Sequence, residues 1–119
     1  MLHKSIAYEK AYKFSVRIVK TYQSIKTNKM EYVLSKQLLR CGTSIAANIA
    51  EANGAISKPE FSNKISIAYK ESLETIYWLN LLIDTEYIDL HDFESLLLDV
   101  DEIAKILFSI LKTTRINKQ

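Results

Sequence analysis

The chain has almost nothing with which to turn. Its 119 residues include two glycines, Gly42 and Gly54, and one proline, Pro59. Sheets of short strands draw on Gly, Pro and Asn-Gly at every corner, so this chain has too few corners for one. Helices need such residues only near their ends. The composition therefore favours a few long helices joined by short connections.

Apolar positions recur with the matching period. Ala7, Ala11, Phe14, Ile18, Tyr22 and Ile25 follow one another at spacings of three and four, which keeps them on one stripe of a helix. Leu34, Leu38, Cys41, Ile45, Ile49 and Ala52 repeat the pattern, with Gly54 as the expected C-cap. Ser57-Lys58-Pro59-Glu60 has the form of a capping box with proline in the first turn. Phe61, Ile65, Ala68, Ser72, Ile76, Leu79 and Ile83 carry the third stripe. A fourth, led by Asp89 or Asp92 as cap, runs through Phe93, Leu97, Val100, Ala104, Leu107 and Leu111. The expected helices are about 5–26, 30–53, 58–84 and 90–113, in one domain spanning 1–119. Each would be roughly 30–37 Å long. Short connections between near-heptad stripes predict an all-α, up-down-up-down antiparallel four-helix bundle with left-handed, shallow crossings.

Charge is unevenly spread. Lys4, Lys10, Lys13, Arg17, Lys20, Lys26 and Lys29 stand against Glu9 alone in the first 29 residues. Residues 83–104 carry Asp84, Glu86, Asp89, Asp92, Glu94, Asp99, Asp101 and Glu102 without a lysine or arginine. The net charge of +2 hides this separation. No run approaches the roughly 20 apolar residues of a membrane span. The opening MLHKSIAYEKAYKF has no hydrophobic signal core. A single cysteine, Cys41, suits a reducing compartment, and the expected location is the cytoplasm.

The second helix lines up Arg40, Ser44, Asn48 and Glu51 at helical spacing. An antiparallel hairpin with the third helix sets Arg40 opposite Glu71, Gln37 opposite Glu74 and Ser44 near Ile67. Arg40, Ser44, Asn48, Glu51, Glu71 and Glu74 are thus expected to form a structural polar seam, whose buried ion pair would penalise wrong registers. The catalytic alternative lacks its parts. The histidines are His3 and His91, and neither follows a Glu by three residues as in the di-iron bundles. One cysteine cannot supply a zinc site, and no base is placed to activate Ser44 or Cys41. No catalytic residue, metal site, cofactor or small-molecule substrate is expected, and the protein is expected not to be an enzyme.

The stretch LLRCGTSIAANIAEANGAISKPEF, followed by ISIAYKESLETIYWLNLLIDTEYI, resembles a known family. These are the four-helix-bundle proteins encoded in intervening sequences of bacterial ribosomal RNA genes. Arg40, Ser44, Ile45, Ala47, Asn48, Ile49 and Glu51 fit the family's first motif, with Ala46 departing from its usual Pro or Gly. Ser57 and Phe61 fit its cap, and Glu71, Glu74, Thr75, Tyr77, Trp78 and Leu79 fit its last motif. The resemblance implies assembly as a ring, most often a homopentamer. It also implies kinship with the accessory protein of diversity-generating retroelements, which works with a reverse transcriptase and nucleic acid.

Two functions follow as expectations. The first is a non-enzymatic, homo-oligomeric interaction protein. Tyr69, Tyr77, Trp78, Leu81, Leu82, Leu98, Ile106 and Phe108 fall outside or beside the stripes, and Tyr77, Trp78 and Leu81 are the candidate oligomer interface. The second is RNA or DNA binding by Lys10, Lys13, Arg17 and Lys20, a stripe that a ring would multiply.

Overall fold

The structure is a computed structural model that describes residues 5–116, with side chains through Thr114. His3 and Lys4 lie outside the described residues. The elements are α1 (Ile6–Lys29), α2 (Leu34–Asn53), α3 (Lys58–Asp84) and α4 (Leu90–Leu111), with a π-helical turn at Lys112–Ile116. Among the described residues there is no strand. Each helix packs on the next, and α1 also packs on α4, which closes a four-helix bundle with extents of 46 × 26 × 21 Å.

Polar side chains set where the helices start. Ser5 Oγ accepts from the Tyr8 N–H at 3.1 Å and opens α1. Ser57 Oγ accepts from the Glu60 N–H at 3.2 Å, while the Glu60 carboxylate reaches back to the Ile56 N–H. Asp89, not Asp92, caps α4, accepting from the Asp92 N–H at 2.8 Å.

The first connection differs from expectation. α1 continues through Lys26-Thr27-Asn28-Lys29, and α2 begins at Leu34 rather than near residue 30. Weak helix formers cost only a few tenths of a kcal/mol each, too little to stop a helix already propagating, although residues 26–29 are all exposed. Met30 then turns the chain in the left-handed region at φ 54°. Glu31 caps α2 from outside it, its carboxylate accepting from the N–H groups of Val33, Leu34 and Ser35 at 2.8–2.9 Å. Burial pushes the Glu31 carboxyl up, but these bonds and the Ser35 hydroxyl hold it below its ordinary 4.5.

Left-handed caps do not fall on glycine. Gly54 ends α2 at φ −98°. At the end of α3 it is Glu86 that takes φ 67°, while its N–H bonds to the Ile83 carbonyl and the Tyr87 N–H to the Leu82 carbonyl. That paired pattern is the Schellman ending, in a position where glycine is the usual occupant.

The core contains Phe14, Ile18, Leu38, Ile45, Ile49, Ile65, Leu79, Leu82, Leu96, Val100, Ile103 and Leu107, all with essentially no exposure. Two expectations shift here. Leu82 is buried rather than surplus, and α4 turns Leu96 and Ile103 inward while Phe93 and Leu97 stay half-buried. Adjacent lines on α4 are both apolar, so spacing alone does not choose between them. Gly42 permits a close approach of α1 to α2. A Cβ there would stand 2.9 Å from both γ-carbons of Ile18.

Candidate functional site

The polar seam of α2 divides in two. Arg40 reaches α3, where its guanidinium pairs with Glu74 and, at 3.5 Å, with Glu71. Glu51 pairs with Lys64 at 2.7 Å. Between them the seam satisfies itself within α2: the Asn48 side-chain amide donates to the Ser44 carbonyl at 2.9 Å and lies 3.5 Å from the Ser44 hydroxyl. Gln37 does not face Glu74; its side-chain oxygen accepts from Arg40 Nε at 3.4 Å. The facing residues sit about one turn or slightly more further along α3 than the short loop implies, with Arg40 at Glu74, Glu51 at Lys64 and Cys41 against Thr75. The first turn of α3 therefore overhangs the end of α2.

The seam is also not buried. The Arg40 side chain keeps 50% of its exposure and Glu74 37%. Long side chains lay their stems on the bundle and keep charged ends in water. An ion pair this exposed contributes about 0–1 kcal/mol, far less than the register penalty of a buried charge. Trp78 belongs to this cluster, since its indole N–H donates to Glu74 at 3.3 Å and its ring meets Tyr77 edge-on.

The basic stripe of α1 is half neutralised by α4. Arg17 bonds to Asp99 at 2.6 Å and to the Ser95 hydroxyl at 2.9 Å. Lys10 pairs with Glu102 at 3.3 Å. Lys13 and Lys20 are exposed, and among the described residues neither has an acid within ion-pair distance.

Apolar side chains emerge on two different faces. On the α3–α4 side these are Leu73, Tyr77, Leu98 and Phe108, with Tyr77 58% and Leu98 72% exposed. A groove of about 610 Å³ runs there between Tyr69, Leu73, Ile76, Ala104 and Phe108. Of the residues expected at an interface, Tyr77 is exposed, while Trp78 and Leu81 are half-buried. On the α1 side the exposed group is Tyr12, Val16 and Val19. Sequence reasoning passed over this second group. Its signal was present as a second apolar line at spacings of four and three, outside the core stripe.

The nucleophile candidates sit in quiet surroundings. Cys41 is fully buried, and burial pushes its thiol up to about 11, although the Thr75 hydroxyl, donating at 3.3 Å, pulls the other way. Among the described residues the one grouping of metal-ligand type is Asp89, His91 and Asp92, whose ligand atoms lie within 4.8 Å of one another. All three are exposed, and Asp89 is already engaged as the cap of α4. No helix of the described residues is long and apolar enough to cross a membrane.

Comparisons with known proteins agree with the bundle. The family model described as 23S rRNA-intervening sequence protein matches residues 3–109. A 1.70 Å crystal structure from Bacteroides thetaiotaomicron VPI-5482, a protein with unknown function from the S23 ribosomal protein family, is similar at 50% identity with a TM-score of 0.89. The match covers 90% of this chain and 99% of that one. Among curated proteins, none matches. With the family model spanning nearly the whole chain and the motifs around Arg40 and Trp78 in place, the chain belongs to the 23S rRNA-intervening sequence protein family.

Proposed function

We propose that this protein is a non-enzymatic subunit of a homo-oligomeric ring, a pentamer by its family resemblance, whose work in the cytoplasm is to bind a partner. One observation carries the reading: exposed apolar side chains emerge on two unlike faces, Leu73, Tyr77, Leu98 and Phe108 on one and Tyr12, Val16 and Val19 on the other. A closed ring is built from a heterologous contact, in which one surface must complement a different one. Two unlike apolar faces meet that requirement, whereas a two-fold dimer needs only one. A buried thiol held protonated and a self-satisfied Ser44–Asn48 pair favour binding over catalysis. Light scattering at tens of micromolar is the test. A mass several times the 13.7 kDa of one chain is expected, and a strictly monomeric protein refutes the ring.

A second reading is RNA or DNA binding along α1. Lys13 and Lys20, exposed and free of acids among the described residues, favour it, while the pairing of Lys10 and Arg17 with α4 removes half of the stripe. Affinity that falls steeply with salt and is lost on Lys13→Glu/Lys20→Glu is its expected signature. Flat binding curves at low salt refute it.

A further inference from the structure

We infer that the exposed face of α1 docks on the α3–α4 face of a second copy of this chain, with Lys13 meeting Asp101 and Lys20 meeting Glu94. The inference rests on the self-assembly reading and names the two surfaces that would carry it.

Levels along the bundle supply the argument. Inside one subunit Lys10 pairs with Glu102 and Arg17 with Asp99, so residue numbers on α1 and α4 that share a level add to 112 and 116. We take the ring axis to run parallel to the helices, so that rotation carries each subunit onto its neighbour and leaves every level unchanged. Facing residues across such a contact must therefore obey nearly the same rule. Lys13 with Asp101 and Lys20 with Glu94 both add to 114. The two lysines are seven residues apart, as are the two acids, which on a helix is about 10.5 Å for each pair.

The charges required are available. Lys13, Lys20 and Glu94 are exposed and without an ion pair among the described residues. Asp101 is held only by Lys105 on its own helix, at 3.1 Å and largely in solvent, a contact worth little. Lys105 and Lys112 also line the groove, but toward the C-terminal half of α4, beyond the two acids.

The apolar side chains follow the same levels. Val16 stands level with Leu98, which is 72% exposed. The rings of Tyr69 and Phe108, 5.7 Å apart, fix α3 against α4 and bring Tyr77 level with Val100. Tyr77 then falls between Tyr12 and Val16 of the neighbour. An apolar centre of Val16, Tyr77 and Leu98 between two opposite-charge pairs, with Tyr12 at its edge beyond Lys13, is the anatomy of a protein–protein contact, with burial supplying affinity and charge supplying register.

Charge reversal and exchange in the full chain tests this, with light scattering for mass and circular dichroism for helicity. Lys13→Glu/Lys20→Glu is expected to reduce the assembly to the 13.7 kDa chain with helicity intact, and Glu94→Lys/Asp101→Lys to do the same. The fourfold variant with both faces reversed is expected to regain the wild-type mass. An assembled wild type whose reversals keep full mass, or whose fourfold variant stays monomeric, overturns these surfaces and leaves the ring standing. A monomeric wild type overturns both. Reversal of the lysines that abolishes retention on single-stranded DNA or RNA while mass is unchanged assigns them to nucleic acid and overturns the docking.

Discussion

Gly42→Ala is expected to destabilise the bundle although it places a better helix former in mid-helix. The added Cβ would stand 2.9 Å from both Cγ1 and Cγ2 of Ile18 and 3.2 Å from Cδ1. Carbon atoms prefer about 3.5–4.0 Å, so the neighbours must move apart by more than half an ångström. Ile18 is fully buried, and its branch at Cβ confines χ1, so its γ-carbons move only if α1 moves. Overpacking of this kind costs about 1–3 kcal/mol, and exchanging Gly for Ala in a helix interior returns about 1. The net loss is about 1 kcal/mol, which a urea transition with a slope of about 2 kcal/mol/M reports as a midpoint lower by roughly 0.5 M. Ile18→Ala removes all three opposing carbons, so in that background Gly42→Ala should stabilise by the helix term alone. The coupling between the two sites is then about 1–3 kcal/mol. If Gly42→Ala raises the midpoint in the wild type as much as it does beside Ile18→Ala, the reasoning fails: Ile18 would be yielding freely, and glycine would not be setting the α1–α2 approach.

Further consequences can be measured in the same way. Glu31→Ala removes the external cap of α2 and should cost about 1 kcal/mol at neutral pH. Because the folded Glu31 carboxyl lies below its ordinary 4.5, its contribution is complete above that value and is lost as pH falls through the folded pKa. Wild-type and Glu31→Ala midpoints should therefore converge in acid, and an equal gap at pH 7 and pH 3 would refute the assignment. Glu86→Gly should stabilise by about 0.5–1 kcal/mol, since relief of a left-handed side chain exceeds the extra entropy of an unfolded glycine; a lower thermal midpoint would count against it. Cys41 should resist a thiol-specific reagent at pH 8 in the native protein and react once denaturant is added, and rapid native labelling would show that the α2–α3 seam opens.

The fold was legible because the signals of several levels agree. Stripes such as Ala7-Ala11-Phe14-Ile18 are matched to helical period, and Ser57 with Pro59 marks a start without ambiguity. What was hidden required knowledge of depth or of rotation. Spacing brought Arg40 to the acids of α3 but did not show that a long side chain would keep half of its surface in water. Two apolar lines on α4 left its rotation open, so Leu96 and Ile103 displaced Phe93 and Leu97 from the centre. The α2 cap was missed because Glu31 sits three residues before the helix, where a serine or aspartate at the boundary is the usual sign. The exposed apolar face of α1 was hidden because Tyr12, Val16 and Val19 are interleaved with lysines, which gives that side of the helix the pattern of a solvated face.

That interleaving bears on the choice between protein and nucleic acid as the occupant of α1. A nucleic-acid-binding helix gains from cations that reach phosphates and from aromatic rings on which bases stack, so Tyr12 fits either occupant. It gains little from exposed Val16 and Val19. Here Lys13 and Lys20 flank Val16, and their counterparts Glu94 and Asp101 flank Leu98 on a face whose acids are otherwise weakly partnered. Salt separates the two cases. Binding to phosphates weakens steeply as counterions compete, with an observed constant falling as a power of salt close to the number of contacts. A contact centred on buried apolar area loses only its flanking pairs to screening, which at 0.15 M already limits the reach of an exposed charge to about 8 Å. Assembly that persists through a rise from 0.05 to 0.5 M salt, while any retention on polynucleotide disappears, would place the lysines at the edge of a subunit contact; dissociation in step with loss of polynucleotide would place them at the centre of an electrostatic one.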